Sequence, residues 1–503
     1  MDVDVGVCTF PKSSQQIGQA STSCLQKFTI HFRRPEKLKQ KKGAPYKGQY
    51  GFDWLRDEYI YPMEKVVYDE VTHKYGRDWN YLNKFTELCT NPKNLRQEYL
   101  KEVEPPGKKF QIHGQDYYPA WLSIFACNVQ GNNADAGSDM HKDGVYLDLQ
   151  LDEIDKIIDD KTEIFFEPSD PCLKITPEKI SISKFLKTSR KDRELNGDTH
   201  EPVIYYYLLK NAVKIICQGD TLKQHGKIKV FAKLGPTKIE VGRLMVYNND
   251  NIGKANFVVV NVITEDDNNK KVIPKPHRSF KDLYNYQSFN QAMIRAEVST
   301  IENFDLVALK HKDNDIISFL NDAKNTNYLD SKMIDPEYPL REVLGAELIL
   351  RRLSALYKKY GKHAPKGEIG LNERKHHNTY LFFTALYSKK VAGLSHVEIK
   401  SNVIEWGNVF MIFYSGLKKD RTVVHEAGHS FSLTHTFDRN SPHVFHKGYT
   451  DNFMDYVTHL FLDPRIFSFP TKDNPYNNKM YSFFKWQWDL MREDYSIKKI
   501  RNE

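Results

Sequence analysis

Asp420-Arg421-Thr422-Val423-Val424-His425-Glu426-Ala427-Gly428-His429-Ser430-Phe431-Ser432-Leu433-Thr434-His435 holds three histidines and one glutamate within a few turns of chain. Asp420 is placed as the N-cap of a helix that runs from Arg421 into the histidines. On such a helix His425 and His429, four residues apart, stand one turn above the other on a single face. Two imidazoles so placed reach one zinc ion at about 2.0–2.1 Å. Glu426 lies beside the first of them and can point at a metal-activated water rather than at the metal. It would take that water's proton during attack on a peptide carbonyl and deliver it to the leaving amine.

His-Glu-x-x-His alone arises by chance in roughly one chain of this size in a few dozen, so its weight depends on what surrounds it. A zinc hydrolase needs three protein ligands and one open position, and His435, ten residues after His425, supplies the third. Asp438, His443 and His446 are the alternatives for that place. Downstream stands Asp451-Asn452-Phe453-Met454-Asp455-Tyr456, a methionine turn of the kind expected beneath a three-histidine zinc site. Upstream, residues 408–416 (NVFMIFYSG) read as a buried strand leading directly into the helix, and residues 379–387 (TYLFFTALY) as another. Arg341–Tyr360 reads as a helix with a packing stripe at Val343, Ala346, Leu350, Leu353 and Tyr357, bounded by Pro339 and Gly361. Residues 291–298 read as a strand.

Together these residues resemble the metzincin signature, in which three histidines and a later Met-turn surround a catalytic zinc ion. The resemblance is strong over His425 to Tyr456 and extends at most over residues 271–503. It implies that His425, His429 and His435 bind Zn2+, that Glu426 is the general base, and that Met454 forms a hydrophobic floor. Tyr456, two residues after that methionine, matches a tyrosine that several of these families place near the metal, as a ligand at rest or an oxyanion donor. A plain structural tyrosine is the alternative. Asp455 is expected to bond the backbone of its own turn or to support a ligand. One position departs from the signature: Ser432 stands where the family has a glycine that turns the chain sharply. Residues 392–396 (AGLSH) resemble the edge strand that metzincins lay along their substrate, with an ordinary core strand as the other reading.

Working outward, 503 residues are expected to form several domains. The fold class expected is multidomain, with β-rich N-terminal domains followed by an α/β metzincin-like zinc peptidase domain. The boundaries are a loose leader at 1–20, a β-rich domain at 21–168, a β-sandwich-like domain at 169–264, a linker at 265–277 and the catalytic domain at 278–503. Within the first domain Glu58 to Lys101 reads as a helical insertion. The sandwich rests on short apolar runs separated by turn residues, the last of them residues 255–263 (ANFVVVNVI). Trp486 and Trp488 are placed on a helix packed against the catalytic domain.

A net charge of +8 spread along the chain gives no reason to expect nucleic-acid binding. No apolar run of membrane-spanning length and no signal-peptide pattern occurs, so synthesis in the cytoplasm is expected, with any export by a non-classical or contractile injection route. Cys8, Cys24, Cys89, Cys127, Cys172 and Cys217 are scattered and read as reduced thiols, with Cys8 or Cys24 the only candidates for a latency thiol on the metal. The runs Gly51-Phe52-Asp53-Trp54-Leu55-Arg56 and Phe484-Lys485-Trp486-Gln487-Trp488 resemble segments of uncharacterised Bacteroidetes-type proteins, among which contractile-injection cargo is suspected. The expected function is hydrolysis of a protein or peptide substrate, with a secretion machine or an inhibitor as a further partner. Two rivals are a zinc amidase acting on peptidoglycan-linked or other non-protein amides, and a binding or structural component of a secretion machine with a vestigial zinc site.

Overall fold

Strands in the front half alternate buried and less buried residues, as in Phe28–Arg33, where Phe28, Ile30 and Phe32 face inward. A computed structural model describes residues 25–73, 76–105, 109–129, 139–276, 279–337, 341–373, 376–400, 403–460 and 471–501. The leader 1–20, Cys8, Cys24 and Pro339 lie outside the described residues. The architecture is β-rich, with 38% strand against 22% helix.

Two sheets form a sandwich. One joins Phe28–Arg33, Val145–Glu153, Val203–Cys217 and Leu173–Thr176, with Lys191–Glu194 also on Val203–Cys217. The other runs Lys179–Ser181, Glu163–Pro168, Gly226–Leu234, Thr237–Val246, Ala120–Ser123 and Gly51–Asp53. They share one core, to which Ile30, Leu149 and Val213 come from the first sheet and Ile164, Val230 and Leu244 from the second. Strands from both sides of residue 168 interleave in both sheets, so the units expected at 21–168 and 169–264 are folded as one sandwich. Neither segment alone has enough strands to cover its own apolar face. Cys89, Cys127, Cys172 and Cys217 are buried free thiols.

The segment 58–101 is mostly a hairpin of Glu64–His73 and Gly76–Thr86, not a helical insertion. Tyr68 and Tyr81 are register partners with ring centroids 5.3 Å apart, the cross-strand aromatic pairing that sheets favour. Only Pro92–Leu100 makes a longer helix, capped by the Asn91 side chain, which accepts from the Asn94 N–H at 3.0 Å.

A third, seven-stranded sheet carries the histidine helix. Its strands are β1 (Asn251–Glu265), β2 (Lys271–Val272), β3 (Ile294–Asp305), β4 (Asn378–Phe383), β5 (Gly393–Lys400), β6 (Val403–Ile412) and β7 (Ile497–Arg501). β3, β1, β4 and β6 lie side by side in parallel, and β5 closes the edge antiparallel to β6. β1 is therefore central here and not the last strand of the sandwich. Its run of apolar residues is what a strand buried on both faces requires. Phe257 and Val259 enter one core while Val258, Val260 and Val262 enter the other. The stretch 265–277, expected to link two units, begins as a hairpin inside this one, with β2 folded back on Thr264 and Glu265.

Helices pack on both faces of the sheet, among them α1 (Phe280–Gln287), α2 (Gly345–Tyr360), α3 (Asp420–His429) and α4 (Lys485–Glu493), with Asn314–Ala323 beside α2. α2 covers one face, with Ala346, Leu350, Leu353 and Tyr357 all buried as its stripe predicts. α1, α3 and α4 cover the other, where Trp486 and Trp488 are buried. No helix among the described residues is long and apolar enough to cross a membrane.

A buried charge cluster joins the front of the chain to the segment after α3. Arg34 Nη2 donates to Asp451 Oδ2 at 2.9 Å, and Arg56 Nη2 lies 2.9 Å from both Asp451 oxygens. Burial alone would raise the Asp451 carboxyl, but Arg56 and Arg34 hold it below the usual carboxylate range. Asp451→Ala leaves two arginines without their shared counter-charge and is expected to lower stability by roughly 3–5 kcal/mol. Urea unfolding measures this, and a loss below about 1 kcal/mol would mean the cluster contributes no more than a surface pair.

Candidate metal centre

α3 follows β6 through the turn Tyr414–Gly416. Asp420 is the first residue of the helix; the cap position is Lys419, with no side-chain cap. Its carboxylate therefore acts on the positive end of the helix dipole and does not cap the helix. Two turns later the histidines emerge, buried, as does Glu426.

His425, His429 and His435 each offer one ligand atom within 4.8 Å of the others, an arrangement that could hold a metal ion. What orients them is on the far side of each ring. His425 Nδ1 lies 2.8 Å from the carbonyl oxygen of Phe453, and His429 Nδ1 lies 2.7 Å from that of Leu433. His435 Nδ1 lies 2.9 Å from Asp438 Oδ2. Carbonyl and carboxylate oxygens only accept, so Nδ1 carries the hydrogen in all three rings and Nε2 is left with its lone pair for a metal. Burial holds His425 and His429 well below the usual imidazole range, reinforced by their histidine neighbours, so both are neutral at pH 7.

The return of His435 depends on how α3 ends. The N–H of Leu433 reaches the carbonyl of Gly428 at 3.1 Å and that of Ser432 reaches His429 at 3.1 Å, a Schellman ending with Ser432 as its left-handed residue. Ser432 has φ 65°, the conformation the usual glycine would take, at a cost of about 1 kcal/mol for a residue with a side chain. Its hydroxyl donates to Asp494 Oδ2 at 2.5 Å.

Met454 is fully buried against α3. A Cβ at Gly428 would stand 2.7 Å from its sulfur, so the glycine inside the motif makes room for the methionine. Asp455 bonds its own turn. Its carboxylate accepts from the N–H groups of Gly448, Tyr449, Thr450 and Tyr456 and from the Thr450 hydroxyl, at 2.7–3.1 Å. The Tyr456 ring centroid lies 5.1 Å from that of His435 and 6.1 Å from that of His425.

The Glu426 carboxylate packs on the edge strand. Ser395 Oγ lies 2.8 Å from Glu426 Oε2 and 3.0 Å from the Glu426 carbonyl oxygen, and a Cβ at Gly393 would stand 2.6 Å from Glu426 Cγ. Burial pushes the Glu426 carboxyl up to about 7, against the opposing pull of Ser395 and Arg421.

All seven residues picked out in the sequence, from His425 to Tyr456, gather here. Of the reserve ligands, Asp438 is beside His435 as its hydrogen-bond partner. His443 and His446 are turned away, toward Glu98 at 3.7 Å and Asp69 at 2.9 Å. Ser395 lies on the stretch 392–396 expected along the substrate, but its bond to Glu426 appears only in the structure, as do the places of Trp406, Phe437 and Asp494. Trp406 stacks on His429 at 3.7 Å between centroids, and Phe437 on His435 at 4.9 Å. No local spacing marks Trp406 or Asp494, which reach His429 and Ser432 from distant parts of the chain. Asp438→Ala removes the acceptor that orients His435 and is expected to weaken metal binding about 10–100-fold, measured by competition with a chelator. Unchanged affinity would mean His435 is oriented by its neighbours alone.

No protein-family model and no curated protein matches this chain. A solved structure described as "Structure of a chaperone-substrate complex" is similar at 9% identity over 56% of this chain, with a TM-score of 0.19. The chain spans 37% of that structure's chain, and so slight a likeness carries nothing about fold or function.

Proposed function

We propose that the chain is a zinc-dependent endopeptidase of the metzincin type. The observation that supports this most is the set of three imidazoles with Nδ1 committed, carried with a buried glutamate beside a sheet edge. An all-imidazole set suits zinc and not magnesium or calcium, which take oxygen ligands. When bound, the ion supplies Lewis acidity to the scissile carbonyl and lowers the pKa of the attacking water.

The remaining work belongs to the chain's own side chains. Glu426 accepts the attacking water's proton and passes it to the amine nitrogen as the peptide bond breaks. Met454 packs beneath α3 and keeps the two helical ligands in register. Tyr456, beside His435, is the candidate donor to the oxyanion. Among the described residues β5 pairs with β6 on one side only, and an extended peptide added to its other side gains backbone hydrogen bonds whatever its sequence. Gly393 and Ser395 touch Glu426 from that same strand, which brings the edge to the base.

Zinc content and casein cleavage of the purified protein test this, beside Glu426→Ala and His435→Ala. The wild type is expected to hold about one zinc and to cleave. Glu426→Ala keeps the metal and loses at least about 100-fold in rate; His435→Ala loses the metal. A wild type without zinc would show the motif to be accidental. Bound zinc with no cleavage of casein, but Glu426-dependent hydrolysis of a peptidoglycan-linked amide, would replace the peptidase by an amidase.

A further inference from the structure

Ser432 occupies a left-handed turn residue without being glycine, and the structure supplies a partner for its side chain from far along the chain. Asp494 is buried and sits between the end of α4 and the start of β7. Its N–H reaches the carbonyl of Met491, and its own carbonyl accepts from Ile497 at 3.0 Å. One carboxylate oxygen accepts from the Ser496 N–H at 2.8 Å and the Ser496 hydroxyl at 2.6 Å; the other accepts from Ser432 Oγ at 2.5 Å. β7 in turn pairs with β1 across Asn251–Ala255, so the carboxylate is anchored to the central strand of the sheet. Ser432 is three residues before His435, and the turn it makes is what brings that histidine back to the other two.

We propose that Asp494 is a positioning residue for the third metal ligand. By accepting from Ser432 it holds the side chain that a glycine would lack, fixes the left-handed turn against the C-terminal strand, and so sets where His435 arrives. The charged acceptor makes this hydrogen bond stronger than one between neutral groups. The pair does the work that a glycine does alone in a turn of this kind, at the cost of a dependence on a residue 62 positions away. The inference rests on the three histidines binding a metal ion and is independent of what that ion catalyses.

The test is zinc affinity, by competition with a chromogenic chelator, in the full chain. Asp494→Ala is expected to bind zinc about 10-fold more weakly or worse, the scale of losing a ligand's supporting partner. Asp494→Asn, whose amide oxygen keeps the Ser496 N–H while its NH2 donates to Ser432 Oγ, retains a neutral hydrogen bond to the turn and is expected to bind zinc between the wild type and Asp494→Ala. In a Ser432→Gly background the same Asp494→Ala change is expected to have no effect, because the turn no longer needs the carboxylate. Asp494→Ala binding zinc as tightly as the wild type would overturn the proposal. So would an equal loss in both backgrounds, which would make Asp494 a support of the C-terminal strand only. If Asp494→Ala does not fold, recovery of fold and zinc binding in Ser432→Gly/Asp494→Ala supports the proposal, and failure to recover overturns it. A wild type that takes up no zinc removes the metal site and this inference with it, whereas loss of cleavage alone leaves the inference standing.

Discussion

A buried imidazole that offers one nitrogen to a metal must give the hydrogen on its other nitrogen to an acceptor, because leaving a buried donor unpaired costs about 1–3 kcal/mol. In this chain the three acceptors come from three places: Phe453, Leu433 and Asp438. Each must be fixed before the rings can converge, so the order of the site is inherited from these stretches. Leu433 is set by the end of α3. Phe453 is set from both sides, its N–H reaching the Ser482 carbonyl at 2.9 Å while Asn452 bonds Gln487 at 2.6 Å. Asp455 gathers the backbone just before and after.

The same requirement ties the sandwich to the histidines. Asp451 begins the segment that delivers Phe453, and two arginines from the front of the chain hold it. Asp53, beside them, accepts from the Lys485 N–H and the Tyr99 hydroxyl, both at 2.7 Å. Around this cluster the aromatic rings of Tyr59, Phe445 and Phe484 interlock. The front half is thus packed, by charge and by ring contacts, against the segment that delivers Phe453.

What could be read in the sequence was what obeys local periodicity. A spacing of four on a helix puts His425 and His429 on one face in any context, and the stripe of α2 survives because its partner is simply an apolar sheet. The rest failed for identifiable reasons. Within residues 255–263 the apolar run Phe257–Val260 is too short, between Asn256 and Asn261, to show whether it belongs to a sandwich or to a sheet buried on both faces. Residues 64–86 carry enough charged residues to suggest a helix, but Val66, Tyr68 and Tyr81 are strand formers and pair across the hairpin. The bonds that support the site were not legible because their partners are far apart in the chain: Ser395 lies 31 residues before Glu426 and Asp494 lies 62 after Ser432. Even the anomaly at Ser432, plain in the sequence, could not name its remedy.

Glu426 depends on both the helix and the sheet, since its surroundings come from neither alone. The helix fixes it one residue after a ligand, and β5 decides where its carboxylate ends. Gly393 leaves room for the side chain, while Ser395 has one hydroxyl hydrogen between two oxygens of the same residue, the carbonyl and the carboxylate. Burial favours the protonated acid and the hydroxyl bond favours the anion, and their balance lies at about 7. A dication held by the three histidines would draw it lower, toward the anion. Without burial the carboxyl would stay in the ordinary carboxylate range. The edge strand is thus the element that sets both where this carboxylate lies beside the three histidines and how readily it gives up its proton.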